Sequence, residues 1–311
     1  MELSEEYMYD YVHANPNLVS IKDQPTVGEN IKVLKYKKKV FYKNLWTPEV
    51  MECRGTVVWC SDETKRLKIL QRPPTKTFNR FENNRDLPLD TMVTAPRKIN
   101  GFMGALTFID GCPFVSTTGS CDSPFSKMAY QMLMMRGSAF KLAESYGAGI
   151  TWTFEIVHKD DPHIVPEDTG VYLLSARRTE WNVPSRCFDE STLDKLAAEH
   201  SLKRPEWYRM HFGDVVTMNQ TVNHEGFMVY TDDGYEMKLK SPRYIVSKFL
   251  ARLSPIKLQG VLFNDPIQFE SRFGGEFMLL RSFLQNRYTG FLGATEQQRL
   301  SVIREFFRLI K

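Results

Sequence analysis

The stretch APRKINGFMGAL, residues 95–106, decides how the whole chain is interpreted. Lys98 lies two residues after Pro96 and three residues before Gly101, and an apolar run follows. Proline fixes its φ angle and glycine adopts backbone conformations that other residues avoid, so this segment can hold the Lys98 side chain at the mouth of a site. A lysine before Asn-Gly is also typical of the solvated end of a hairpin. The stretch alone does not separate these two interpretations.

On both sides of this stretch, from residue 36 to residue 240, the pattern favours β-strands. The segments ECRGTVVWC (52–60) and TWTFEIV (151–157) are rich in β-branched and aromatic residues and come close to a two-residue alternation. The segment GFMVYTDDGYEMKLK (226–240) predicts a hairpin, because Gly234 supplies the positive φ that a tight turn needs.

Two helices are predicted among these strands, over FSKMAYQMLMMR (125–136) and near STLDKLAAEH (191–200). Each follows or begins with residues that cap helix N-termini, and glycines punctuate the first. The expected caps are Ser123 for the first helix and Ser191 or Thr192 for the second. Gly137 is expected to end or interrupt the first helix, and Gly147 to end its continuation.

After Ser241-Pro242 the apolar residues are spaced three or four apart, which is typical of amphipathic helices. Three such helices are predicted, over residues 243–253, 275–288 and 295–310, and the last begins with a capping-box pattern at Thr295 and Gln298. The predicted fold class is therefore α+β. A domain of antiparallel or mixed sheets with flanking helices covers residues 1–242, and a small all-helical domain covers residues 243–311.

The composition is that of a globular protein of 311 residues, with 42% hydrophobic and 25% charged residues. No apolar run approaches the roughly 18 residues that span a bilayer, and the acidic N-terminus is unlike a signal peptide, so we expect a cytoplasmic protein with no membrane partner. Five cysteines without a CxxC pair indicate neither a disulfide framework nor a structural zinc site. Residues 241–311 carry eight arginines and three lysines against five acids, which fits a polyanionic partner and equally fits solvated arginines on helices.

Two acidic residues on predicted strands are candidate neighbours of Lys98. Glu155 alternates with Trp152, Phe154 and Ile156, so it points away from the core, towards a cleft or solvent. Further along, Glu225 precedes Gly226, a residue that lets another backbone approach closely.

Lys238 and Lys240 project from one face of the predicted hairpin, because they lie two residues apart on a strand. Two ammonium groups on one strand face repel each other unless an anion lies between them. Taken singly, such lysines are typical of an exposed edge strand.

In this order the residues resemble the motifs of the covalent nucleotidyltransferases, the superfamily of ATP-dependent ligases and GTP-dependent capping enzymes. KING (98–101) matches the nucleophile motif KxxG, FEIV (154–157) matches motif III, EGFMVY (225–230) matches motif IV and MKLK (237–240) matches motif V. The resemblance implies that Lys98 is the nucleophile, that Lys238 and Lys240 hold the α-phosphate, and that Glu225 binds a metal. It implies that Glu155 contacts the ribose or positions Lys98.

Two upstream segments resemble RNA ligases of the phage RNA ligase 1 type. These are ECRGTVVW (52–59) and QRPPTKTFNRFEN (71–83), in which Arg54 and Lys76 match residues that contact the triphosphate. The chain departs from that family at STTGS (116–120), where lysines are usual, and at DPHIV (161–165), which stands in place of an Asn-Arg-Ile-Val-like segment.

The resemblance implies an ATP-dependent RNA ligase that joins RNA 5′-phosphate and 3′-hydroxyl ends through lysyl-AMP and RNA-adenylate intermediates. It implies single-stranded or broken tRNA-like substrates, Mg²⁺ with Mn²⁺ as a substitute, a monomer, and the host cytoplasm if the chain is phage-encoded. The cations of Lys238 and Lys240, together with a bound Mg²⁺, are expected to favour the neutral form of Lys98.

Other interpretations stay open at this point. A nick-sealing duplex RNA or DNA ligase and a capping-type enzyme share the motifs, and an RNA-binding module with an inactive site is the non-enzyme alternative. DNA ligases and capping enzymes normally carry an OB-fold of strands after motif V, where this chain predicts helices.

Overall fold

The computed structural model describes residues 2–135, 138–183 and 186–310. The segments predicted as strands form strands, and further strands lie before and between them. The strands are β1 Val19–Asp23, β2 Ile31–Tyr36, β3 Arg54–Ser61, β4 Arg66–Gln71, β5 Met92–Pro96, β6 Phe102–Ile109, β7 Cys112–Ser116, β8 Ile150–Val157, β9 Gly170–Arg178, β10 Trp207–His211, β11 Gly226–Tyr230 and β12 Glu236–Lys240.

Helices flank these strands and then make up the whole C-terminal part that the structure describes. They are α1 Glu5–Ala14, α2 Lys38–Lys43, α3 Pro48–Glu52, α4 Pro124–Met135, α5 Ser138–Tyr146, α6 Glu190–Glu199, α7 Phe212–Asn219, α8 Pro242–Arg252, α9 Pro255–Gln259, α10 Pro266–Phe273, α11 Met278–Asn286, α12 Tyr288–Leu292 and α13 Glu296–Leu309. Single helical turns lie at Glu82–Asn84, Gly147–Gly149, Gly260–Asn264 and Gly275–Phe277. Within the described residues, no helix combines the length and the apolar character that crossing a membrane requires.

The strands form three four-stranded sheets, and the described pairings between these strands are antiparallel. The first sheet has the order β1-β2-β3-β4, the second β10-β5-β11-β12 and the third β7-β6-β8-β9. With helices on their flanks, these sheets confirm the α+β prediction.

The third sheet buries one face against α4 and α5. Trp152, Phe154 and Ile156 of β8 pack there with Leu133 and Leu142. Because side chains alternate along a strand, the other face of β8 carries Thr153 and Glu155 away from this core. The alternation predicted around Glu155 is confirmed.

The second sheet is built in the same way. Met237 and Leu239 of β12 are buried in a cluster with Phe212 and Val215 of α7. The opposite face of β12 therefore carries Lys238 and Lys240, as predicted. The hairpin is also confirmed, since Tyr230 pairs with Glu236 and Gly234 has a φ of 85°.

Gly226 shows why a glycine follows Glu225. Its φ is 122°, and a Cβ atom there would lie 2.0 Å from the carbonyl oxygen of Leu239. Only a residue without a side chain lets β11 pair with β12 this closely at its first position. The predicted close approach is confirmed.

The predicted helices form with one change of cap. Ser123 caps α4, because its Oγ accepts a hydrogen bond of 3.1 Å from the backbone N–H of Ser126. The prediction for α6 was wrong. Its cap is Asp189, whose carboxylate accepts a 2.7 Å bond from the N–H of Thr192. The helix thus begins before Ser191 and Thr192, both of which are already helical. Arg136 and Gly137 lie outside the described residues, and α5 ends before Gly147 as predicted.

Helices α8 to α13 pack around an apolar cluster of their own. Val246, Leu250, Leu280, Leu284 and Ile303 are among its fully buried members. The capping box at the start of α13 is confirmed. Helix α8 begins at Pro242, and the domain boundary near residue 242 stays a prediction.

Arg299 of α13 joins three of these helices. Its guanidinium is buried and donates to the carbonyls at the ends of α8 and α12. The acceptors are the carbonyl oxygens of Ala251, Leu253, Phe291 and Leu292, at 3.3, 2.6, 3.1 and 2.6 Å. A cation suits these positions, because helix C-termini present unpaired carbonyls and a partial negative charge.

Replacing Arg299 with leucine should therefore lower the free energy of unfolding by about 2–3 kcal/mol, since several buried carbonyls lose their donor. Urea denaturation of the full chain measures this change. Arg308→Leu, an exposed arginine on the same helix, is the matched control and should have an effect within about 0.5 kcal/mol. Equal effects of the two substitutions would contradict the role given to Arg299.

Candidate active site

A cavity of about 360 Å³ lies between the polar faces of the second and third sheets. This volume is within the range of small-molecule sites. Its wall is formed by Lys98, by Thr153 and Glu155 of β8, by Met228 and Tyr230 of β11, and by Lys238 of β12, with Arg54 and Thr118 at one side. The two sheets turn polar faces towards each other because each has already buried its apolar face against helices.

Lys98 sits where the chain leaves β5 and approaches the start of β11. Its backbone N–H donates to the carbonyl of Gly226 at 2.8 Å. Its Nζ donates to Oε2 of Glu225 at 3.0 Å. Gly101 is needed here for close approach and not for turning, because a Cβ at this position would lie 2.3 Å from the carbonyl oxygen of Ile156. The surroundings hold Lys98 in the wall of a cavity and exclude the solvated-hairpin interpretation.

Two buried carboxylates flank the lysine. Glu225 is 3% exposed, and its Oε2 accepts from Lys98 and, at 2.7 Å, from the side-chain amide of Asn100. Glu155 accepts a 3.0 Å bond from the backbone N–H of Gly101. Asn100 in turn accepts from the N–H of Val165 at 2.9 Å. Asn100, to which the sequence pattern assigned no role, thus ties Glu225 to the segment after β8.

The expectation that the neighbouring lysines by themselves favour neutral Lys98 was wrong. Burial lowers the pKa of Lys98, but the negative charges of Glu225 and Glu155 and the bond to Glu225 outweigh it. The pKa of Lys98 is therefore above its ordinary value. The sequence pattern placed both carboxylates in the site but could not show that one of them touches Nζ.

It is Lys238, and not Lys98, whose pKa is lowered. Burial, together with the positive charges of Arg54, Lys98 and Lys76, lowers the pKa of Lys238 to about 7. Its backbone is fixed on the outer edge of β12 by bonds to Phe78 and Arg80. Lys238 is thus an amine near its midpoint of protonation at neutral pH, with its side chain in the cavity wall.

Arg54 and Lys76 occupy different surroundings. Arg54 lies in the cavity wall and donates to the carbonyl of Pro74 at 3.1 Å. Lys76 pairs with Glu82 at 2.8 Å and lies 4.4 Å from the ring centre of Phe78. The structure therefore places Arg54 in the cavity wall, whereas Lys76 does not line the cavity but is close enough to Lys238 to help lower its pKa.

The polar segment at residues 116–120 reaches the cavity through Thr118. Gly55 makes this possible, because its φ is 91° and a Cβ there would lie 2.7 Å from the Cα of Thr118. No lysine stands in this segment, but the Nζ of Lys35 lies 3.6 Å from the position of a Cβ at Gly119. A cation from β2 therefore lies close to this segment, although the segment itself holds no lysine.

The cations of the cavity differ in how their charge is balanced. Arg97 pairs with Glu167, Arg186 pairs with Glu190, and Lys98 pairs with Glu225. Within the described ranges, Arg54 and Lys238 have no carboxylate at ion-pair distance. Two unbalanced cations in one enclosed wall favour binding of an anion.

Helix α8 adds two residues that the sequence pattern did not single out. Tyr244 is buried, and the Nζ atoms of Lys240 and Lys248 each lie 5.5 Å from the centre of its ring. The Lys248 Nζ also lies 3.5 Å from the Tyr244 hydroxyl. Burial lowers the pKa of both lysines. Tyr244 and Lys248 lie four and eight residues after Lys240, the last residue of MKLK. This four-residue spacing was the available signal, and the sequence analysis interpreted it only as a helix face.

Glu225 is the residue best suited to hold a divalent cation. A carboxylate oxygen is the ligand that Mg²⁺ and Mn²⁺ prefer, and Mg²⁺ is usually held by one or two carboxylates together with phosphate oxygens. The Oε2 atom of Glu225 accepts hydrogen bonds from Lys98 and Asn100, so the side chain is oriented towards positively polarised groups.

Sequence comparison gives no relative, because no protein-family model and no curated protein matches the chain. Structural comparison does. Two forms of an archaeal ATP-dependent RNA ligase are similar, with TM-scores of 0.55 and 0.52 and identities of 14% and 15%. The aligned regions cover 95% of this chain in both cases, and 74% and 73% of the ligase chains. A putative ATP-dependent DNA ligase from Aquifex aeolicus is similar with a TM-score of 0.55 and 12% identity, over 96% of this chain and 78% of that chain.

These similarities show that the chain has the fold found in ATP-dependent RNA and DNA ligases. The aligned part includes nearly the whole chain, so it extends into the C-terminal helices as well as the sheets.

The pKa of Lys238 leads to a test of the anion site. At pH 8 most of Lys238 is neutral, and an anion beside it favours the ammonium form. Binding of inorganic pyrophosphate should therefore take up a proton at pH 8 and much less at pH 6, where Lys238 is already charged. Calorimetry in buffers of different ionisation enthalpy measures this uptake.

Lys238→Arg is the matched variant, because arginine keeps its charge at both pH values. It should bind pyrophosphate with the uptake at pH 8 largely removed. Undiminished uptake in this variant would assign the proton to another group.

Proposed function

We propose that the protein is an ATP-dependent RNA ligase that joins a 5′-phosphate to a 3′-hydroxyl through a lysyl-AMP intermediate. The observation that carries the proposal is the arrangement of one cavity. Lys98 is held beside two carboxylates, while Arg54 and Lys238 face the same space without carboxylate partners. A nucleophile next to an anion site is what transfer of a nucleotidyl group needs.

In the first step, Lys98 Nζ would attack the α-phosphorus of ATP. A phosphorus–nitrogen bond forms, the bond to the bridging oxygen breaks, and pyrophosphate leaves. Lys98 must first release a proton to solvent, because an ammonium has no free electron pair with which to attack. Lys238 and Lys240 would hold the α-phosphate and balance the charge that develops on it.

The remaining residues would position the substrate. Arg54 would orient the leaving pyrophosphate, and Lys76 would join it by exchanging Glu82 for a phosphate oxygen. Glu155 would contact the ribose or hold the Lys98 loop, to which it is already bonded at Gly101.

Glu225 would hold the divalent cation, either Mg²⁺ or Mn²⁺. Such a cation neutralises phosphate charge when it is bound. The Glu225 oxygen that would hold the cation is the one to which Lys98 donates, so the two would lie side by side.

In the second step, the RNA 5′-phosphate oxygen would attack the phosphorus of lysyl-AMP, which returns Lys98 and forms a pyrophosphate-linked RNA-adenylate. In the third, an RNA 3′-hydroxyl would attack the 5′-phosphorus of that end and release AMP. The three transfers reuse one set of cations, because each passes through a phosphorus with developing negative charge.

RNA is proposed as the substrate because the segments around Arg54 and Lys76 resemble the phage RNA ligase 1 type. That subtype, a tRNA-like broken loop and Mg²⁺ in particular are parts of the proposal. A nick-sealing duplex RNA or DNA ligase is the alternative, and the similarity to a putative DNA ligase keeps it in the test.

The proposed function predicts a covalent adduct between AMP and Lys98. The wild-type protein, incubated with ATP labelled in its α-phosphate and with Mg²⁺ or Mn²⁺, should retain label through denaturing electrophoresis. Lys98→Ala should retain none, because the nucleophile is gone. Lys98→Arg should also retain none, yet it keeps a cation for Glu225 and so excludes loss of folding as the cause. Lys127→Ala, an exposed lysine of α4, should label like the wild type. Unlabelled wild-type protein would refute the proposal.

The second prediction concerns the substrate. A 5′-phosphorylated single-stranded RNA should be circularised faster than a nick in an RNA duplex or a DNA duplex is sealed. Electrophoresis of end-labelled strands separates circles, sealed strands and adenylated intermediates. Faster sealing of either nick would replace the single-strand proposal with the duplex alternative.

A further inference from the structure

Thr153 of β8 has an unusual position for a hydroxyl. It lies in the wall of the cavity, is 2% exposed, and its Oγ1 has no hydrogen-bond partner in the part of the chain that the structure describes. A buried hydroxyl without a partner destabilises a fold, and a valine of the same shape would avoid this cost. The Thr153 hydroxyl would therefore be satisfied by a hydrogen bond to a ligand in the cavity.

An irregularity in the third sheet brings polar and apolar groups together beside this hydroxyl. Thr153 pairs with Ser175 of β9, but Phe154 pairs with Leu173, so Leu174 is an extra residue in the ladder. Such a bulge changes where side chains point. As a result of the bulge, Leu174 and Ser175 both line the cavity, although they are adjacent in sequence.

The charges around the cavity indicate which part of a ligand lies here. Glu155 stands two residues along the same strand face and is buried, and burial raises its pKa. Whether charged or neutral, a carboxyl group offers a phosphate no positive charge at this point. The unbalanced cations Arg54 and Lys238 belong to other strands, β3 and β12. Thr153, Leu174 and Ser175 instead offer hydroxyls and an apolar surface, which suit a sugar and a base.

We infer that the Thr153 hydroxyl hydrogen-bonds the nucleoside part of the bound nucleotide, next to the surface formed by Leu174 and Ser175. Thr153 is then a residue that determines nucleotide affinity, in addition to the residues of the proposed ligase reaction. The inference rests on the proposed function, since it takes this cavity to be the nucleotide site.

The test compares two ligands that divide the nucleotide between them, AMP and inorganic pyrophosphate. Thr153→Val should raise the dissociation constant of AMP by roughly tenfold, as expected for one lost hydrogen bond to a buried group. It should leave the dissociation constant of pyrophosphate unchanged, because pyrophosphate has no nucleoside. Thr153→Ser, which keeps the hydroxyl, should bind AMP within about threefold of the wild type.

Thr107→Val is the matched control, on the adjacent strand β6. Thr107 is fully buried, and its hydroxyl is bonded to that of Thr151 within the protein. This variant should lower the thermal midpoint of unfolding without changing AMP affinity. Thr153→Val should leave that midpoint unchanged or raise it, because it removes an unpaired hydroxyl.

The outcomes separate the inference from the proposed function. Normal AMP affinity in Thr153→Val, or equal weakening of AMP and pyrophosphate, would overturn the role of Thr153 while leaving the adduct at Lys98 intact. Absence of labelled adduct in the wild type would overturn the ligase proposal, and absence of AMP binding would overturn both.

Discussion

The contact between Lys98 and Glu225 is the interaction on which the site depends. It joins residues 127 positions apart, at the point where the chain leaves β5 and where it enters β11. A backbone bond from Lys98 to Gly226 runs beside it, and Asn100 donates to the same carboxylate oxygen. The negative charge of Glu225 and its bond to Nζ raise the pKa of Lys98 against the effect of burial. This contact holds the Lys98 loop in the cavity wall, because moving the loop would leave the buried Glu225 carboxylate without its lysine partner.

The distribution of charge around this contact divides the site into two parts. Lys98 has carboxylates on its side, and its pKa is raised. Lys238 faces Arg54 and other cations, and its pKa is lowered to about 7. Both lysines are half-buried, and burial lowers the pKa of each. The opposite directions of the two pKa shifts therefore follow from the sign of the neighbouring charges. One lysine is therefore held as an ion pair, and the other is left to take its counter-charge from a ligand.

Much of this arrangement could be predicted from the sequence, and the limit is a physical one. The two-residue period of a strand places Glu155 opposite Trp152, and Lys238 opposite Met237, without knowledge of the fold. The α+β class follows from this two-residue period together with the three-to-four-residue spacing of apolar residues in the helices. Contacts between distant segments carry no such local signal, so the partner of Lys98 had to come from the structure. The pairing of Lys76 with Glu82, six residues apart, lies in an irregular loop without a periodic pattern and was equally out of reach. The bulge at Leu174 was equally hidden, because register is set by pairing and not by composition.

The turn at Ser241 shows why the C-terminal helices belong in any account of the site. Its backbone N–H donates to the carbonyl of Glu225 at 2.9 Å, and its hydroxyl donates to the carbonyl of His224 at 2.7 Å. The same hydroxyl accepts from the N–H of Tyr244 at 3.2 Å and so caps α8. One serine thus fixes the strand that carries Glu225 and the helix that carries Tyr244. Because β12 passes into α8 at this residue, the start of the helix and the segment that carries Glu225 share one set of hydrogen bonds. The position of the carboxylate that contacts Lys98 therefore depends on residues at the start of α8 as well as on the two sheets.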